Sequence, residues 1–71
     1  MVGDRLWYIH KIGMPPQPFI VSIVYSERSV TGLSIDAQGW SFARQRIYVK
    51  QLPSENPAPP YAMWPEKKLN T

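Results

Sequence analysis

Residues 19–26 read FIVSIVYS, and no other stretch restricts the fold as much. Phe19, Val21, Ile23 and Tyr25 alternate with Ile20, Ser22, Val24 and Ser26. A period of two, carried by β-branched and aromatic residues, is the pattern of a half-buried strand. A strand cannot stand alone, so its neighbours must also supply sheet. DRLWYIHKI (4–12) reads as an opening strand, with Leu6, Tyr8 and Ile12 on one side and Trp7, Ile9 and Lys11 on the other. Both sides carry apolar groups, so the sequence does not say which is inside. GMPPQP (13–18) must interrupt the sheet, because proline donates no ladder hydrogen bond. VTGLSID (30–36) returns after a turn at 27–29, and Gly32 in its middle predicts a bulge or sharp bend. DAQG (36–39) suits a type I turn. WSFARQ (40–45) and RIYVKQL (46–52) follow as a short strand and a last strand. Helical spacing of Trp40, Ala43 and Ile47 offers a short helix as the alternative. The consecutive Ile47, Tyr48 and Val49 favour strand.

The expected fold is therefore all-β: a small five-stranded antiparallel barrel over residues 1–52, with a proline-rich extension over 53–71. Closure removes the exposed edges that so small a sheet would otherwise present. Residues 53–65, PSENPAPPYAMWP, hold five of the eight prolines and are expected to stay outside the sheet in an extended conformation. Tyr61 and Trp64 are costly to leave in water, so the extension is expected to dock through them. Residues 66–71, EKKLNT, read as a polar end.

Size limits what such a chain can do. Seventy-one residues make one small domain, whose core alone supplies on the order of 3–5 kcal/mol. With no cysteine and one histidine, disulfides and a Cys/His zinc site are excluded. The five acidic residues show no metal-loop spacing, and the four glycines form no phosphate loop. His10 belongs to no recognisable catalytic set and reads as a strand residue. No catalytic residue, metal or cofactor is therefore expected. No apolar run reaches the ~18 residues of a membrane helix, and MVGDRLWYI lacks the layout of a signal peptide. Cytoplasmic residence is the default expectation.

The candidate site is a strip on residues 40–50. Even positions project to one side of an unbroken strand. They read Trp40, Phe42, Arg44, Arg46, Tyr48 and Lys50, a cationic aromatic face. Ser41, Ala43, Gln45, Ile47, Val49 and Gln51 would face the core. The alternative places Trp40 and Phe42 in the core with only the cations outside, and a bend near residue 45 would break the shared parity. Rings beside cations suit either single-stranded nucleic acid or a protein hot spot. The net charge of +3 is small for a nucleic-acid binder. A protein partner is thus expected, with nucleic acid as the alternative and homo-oligomerisation left open. An adaptor or inhibitor encoded by a phage or mobile element would have this size and this lack of catalytic groups.

The order of features resembles the SH3-like small-barrel group: VGDRLW before an apolar strand, then a Gly-bearing strand and a final IYV strand. The likeness is one of layout and spans about residues 2–52. Two local matches also resemble the plasmid-borne type II dihydrofolate reductases. Gly3-Asp4-Arg5 matches their opening, and Ile47-Tyr48 matches the end of their Val-Gln-Ile-Tyr site motif. Gln45 and Arg46 stand where that motif has Val and Gln. That resemblance implies a tetramer binding folate and a nicotinamide cofactor in a central pore, with Ile47 and Tyr48 facing it.

Overall fold

The computed structural model describes residues 2–65. Its strands are β1 (Arg5–Ile9), β2 (Gln17–Ser26), β3 (Ser29–Ile35), β4 (Ser41–Lys50) and β5 (Tyr61–Met63). They close into a barrel in the order β1-β2-β3-β4-β5. Every neighbouring pair is antiparallel except β4 and β5, which run parallel. The chain is thus a small five-stranded all-β barrel, consistent with an SH3-like layout. Among the described residues, no helix is long and apolar enough to cross a membrane.

The strand count matches the expectation, but the strands are distributed differently. Residues 41–50 form one continuous strand, not a short strand followed by a last strand, and the helical alternative at 40–52 is absent. The fifth strand comes from the proline-rich segment, which was expected to stay outside the sheet. The barrel therefore extends past residue 52. Tyr61, Ala62 and Met63 lie between Pro60 and Pro65, so their backbone N–H groups are free to enter a ladder. They pair with Ile9, Tyr8 and Trp7 on one side and with Tyr48, Val49 and Lys50 on the other. Residues 51–60 carry the chain back along the barrel, which is why β5 meets β4 in the parallel sense. Ala62 is fully buried between Tyr8 and Val49, where a small side chain fits.

The core comprises Leu6, Tyr8, Phe19, Val21, Val30, Ile47, Val49 and Ala62. Leu6 and Tyr8 settle the ambiguity of the first strand: they point inward, and Trp7 points out. Tyr8 and Phe19 stack with ring centroids 5.8 Å apart. Trp64 packs against this cluster and donates from Nε1 to Gln51 Oε1 at 3.2 Å. Gln51 in turn donates from Nε2 to the Glu27 carbonyl, so one amide links the β2–β3 turn to the C-terminal segment.

Gly32 marks the bend that its place in the sequence predicts. The β2–β3 register shifts between Val21 and Ile23, and the β3–β4 register shifts between Val30 and Gly32. Beyond the first shift, β2 loses its inward alternation, and Ile23 and Tyr25 lie exposed. The DAQG turn is present. Gly39 donates to the Asp36 carbonyl at 3.0 Å, and Asp36 Oδ1 accepts from Gln38 N and Trp40 N. Gly39 adopts φ +89, a conformation that glycine reaches without a Cβ penalty.

A candidate binding cleft at the barrel mouth

The bulge in β4 decides where the predicted strip goes. Arg44 lies opposite Gly32 and Ile47 opposite Val30, so Gln45 and Arg46 together face Thr31. Two residues against one reverses the side-chain parity of the strand. Arg46 takes the strain at φ 53, and its N–H donates to Thr31 Oγ1 at 3.1 Å. Directly paired residues share a face. Phe42 lies opposite Ser34, and Arg44 opposite Gly32, both of which are buried. These two side chains therefore sit on the inner face, where the barrel opens. Past the bulge, Ile47 and Val49 turn inward and Tyr48 turns outward.

The six strip residues do not form one face. Trp40 stands in the turn before β4, 69% exposed. Phe42 and Arg44 line the mouth. Arg46 sits at the bulge with its guanidinium carbon 4.1 Å from the Tyr25 ring centroid. Tyr48 and Lys50 lie on the outer wall beside Tyr61 and Met63. Tyr48 is also occupied: its hydroxyl donates to Glu55 Oε1 at 2.6 Å and accepts from Arg28 Nη1 at 2.9 Å. Arg28 bonds both carboxylate oxygens of Glu55, at 2.7 and 2.8 Å, the one ion pair among the described residues. The Tyr48 hydroxyl, then the Arg28 guanidinium, hold the Glu55 carboxyl down at about 2. Sequence reasoning missed this cluster, because its members come from 28, 48 and 55 and no local pattern joins them.

A cleft of about 470 Å³ opens at the mouth. Its walls are His10 just past β1, Met14, Pro15 and Pro16 of the β1–β2 connection, Gln17 and Pro18 at the start of β2, the end of β3 (Ile35), the Asp36 turn, and Phe42 and Arg44; the break expected over 13–18 thus ends at Pro16, and Gln17 and Pro18 pair with Tyr8 and Trp7. Arg44 forms the floor. Its Nε donates to the buried Ser34 Oγ at 3.0 Å. Its guanidinium carbon lies 4.9 Å from the Tyr8 ring centroid and 5.3 Å from that of Phe42. Two ring faces and one hydrogen bond fix the group in place. Tyr8 continues to the cleft wall through a hydroxyl–His10 Nδ1 contact of 3.2 Å. The sequence signal for the cleft was the proline pair after the first strand, which reads only as a strand breaker until its spatial neighbours are known.

His10 bonds only Tyr8 among the described residues. No group of three or more His, Asp or Glu side chains among them is placed to hold a metal ion. Comparison with protein families, with curated proteins and with solved structures gave no match.

Proposed function

We propose that this chain is a non-catalytic binding module that grips a protein partner through the mouth cleft. The observation that carries the reading is an open, proline-walled apolar cleft with one immobilised cation on its floor. Rigid apolar walls suit a peptide segment, because little side-chain entropy remains to be lost on binding. The distribution of cations also favours protein over nucleic acid. Arg28 is paired with Glu55, and Arg44 and Arg46 are separated by the bulge. A track of phosphates needs several cations along one surface.

One other reading keeps a specific observation, and another meets one against it. Trp40 is widely exposed and Arg46 rests on Tyr25, so a stacking platform for single-stranded nucleic acid is available. Binding of that kind falls steeply with salt. The reductase reading requires a tetrameric pore, yet Ile47 is 6% exposed within its own barrel core.

The test is a random peptide library panned against the immobilised protein, with each selected peptide re-measured on a Phe42→Ser and a Met14→Asp variant. Selected peptides should lose affinity on both variants. Peptides indifferent to both, or an oligonucleotide bound more tightly with a steep salt slope, would overturn the reading. Light scattering should give a monomer; a stable tetramer would favour the reductase.

A further inference from the structure

Among the described residues, the terminal amino groups of Arg44 have no acceptor. Nε is spent on Ser34 Oγ, and no described residue accepts from Nη1 or Nη2 or pairs with the charge. A half-buried guanidinium with five N–H donors and one hydrogen bond is an incomplete site. The cleft wall also includes Asp36, the obvious internal candidate. Its Oδ1 is instead turned onto the N–H groups of Gln38 and Trp40, where it builds the turn. One oxygen of that carboxylate is thus spent on the turn, and no described residue forms an ion pair with Arg44. Gln17, on the same wall, has a side-chain oxygen shielded from solvent that accepts nothing among the described residues.

We infer that the cleft selects an acidic peptide: a Glu or Asp carboxylate seated on the two terminal amino groups of Arg44, flanked by apolar residues against Met14, Pro16 and Ile35. The inference rests on the cleft reading above and adds its ligand class. Carboxylate is favoured over phosphate because the floor holds one planar cation. A guanidinium end presents two parallel donors to two oxygens, whereas a dianion calls for further positive charge beside the first. Stacking on Tyr8 and Phe42 fixes the fork before the ligand arrives, so ordering it costs little on binding.

The experiment uses two blocked peptides, Ac-Pro-Leu-Glu-Phe-Pro-NH2 and its Gln twin, titrated into the ¹⁵N-labelled chain. The Glu peptide should shift the amides of Ile35, Phe42 and Arg44 and the Arg44 Nε–H signal. Its twin should bind at least about tenfold more weakly, the worth of a hydrogen-bonded charge. In Arg44→Gln the two peptides should bind alike. Arg44→Lys, which keeps the charge but not the fork, should retain a reduced preference and serves if the Gln variant does not fold. Equal binding of both peptides at the cleft of the wild type would leave the binding module standing and refute the carboxylate. A Glu preference that survives in Arg44→Gln would refute Arg44 as its reader. No shift at the cleft from either peptide would overturn both readings.

Discussion

Replacing Gly32 by alanine tests whether the barrel is as tightly drawn at its bend as the register implies. An added Cβ would lie on the Ile20 carbonyl oxygen, inside any van der Waals contact, and 2.9 Å from Phe19 Cζ. The Phe19 ring is fully buried, and the Ile20 carbonyl belongs to the facing strand, so neither can turn away. β2 and β3 must separate. Overpacking of this kind costs about 1–3 kcal/mol, and a weakened ladder bond adds about 1 kcal/mol. The expected loss is about 3 kcal/mol, most of what a core of this size supplies. In a domain of this length that lowers Tm by roughly 12–24 °C. The assay is a thermal melt followed by far-UV circular dichroism and tryptophan fluorescence. Gly13→Ala is the control: nothing lies within 4 Å of its Cβ, and φ +91 is the only obstacle. That backbone strain should cost about 1–2 kcal/mol. A fall of less than about 4 °C for Gly32→Ala, or one no larger than the control's, would refute the close approach of β2 and β3.

Three further perturbations probe other parts of the structure. Glu55 titrates near 2 in the fold against an ordinary 4.5. A depressed carboxyl stabilises above its unfolded value, so its contribution should be full above about pH 5 and should drain away towards pH 2. Glu55→Gln should lower Tm at neutral pH and flatten the acid limb of the Tm–pH curve; an unchanged limb would show that the Arg28–Tyr48–Glu55 cluster is not coupled to folding. Trp64→Ala should cost about 1–2 kcal/mol, less than a fully buried ring because Trp64 is only half-buried; an unchanged melt would detach the C-terminal segment from the core. Arg46→Gly should leave stability within about 0.5 kcal/mol, whereas Arg46→Val should lose about 1–2 kcal/mol at φ 53, since a β-branched side chain suits that conformation poorly. Equal melts for the two variants would remove the strain from β4.

What the sequence announced and what it hid have separate physical causes. The alternation in 19–26 and the Asp-Ala-Gln-Gly turn are local signals, and both elements stand where they were expected. Gly32 announced a bend, and register shifts lie on both of its sides. The position of the second bulge carried no such mark. Arg46 is an ordinary residue in a left-handed conformation, imposed by its neighbours and held by Thr31 and Tyr25. One uncounted residue there moved Phe42 and Arg44 inward and dispersed the predicted face. β5 was hidden for the opposite reason. Its composition is loop-like, and only the two unfilled edges of β1 and β4 make Tyr61–Met63 a strand. The cleft was illegible because its walls come from three separated stretches, 10–18, 35–38 and 42–44, which only the closed barrel brings together.

The closing strand has a consequence for how the chain behaves while folding. Until Tyr61–Met63 seats itself, β1 and β4 are both bare edges on a curled four-stranded sheet, each open to any extended backbone that arrives first. The strand that fills them hangs on the 51–60 tether, long enough to span the barrel and stiffened by four prolines. Such a tether can deliver its strand to its own barrel or to the identical gap in a neighbour, with the same ladder satisfied either way. Refolding at high concentration should therefore raise the share of exchanged pairs, a share that light scattering on the refolded chain would read. Shortening the tether should drive the chain into the exchanged form, with every native strand contact retained and only its ownership altered.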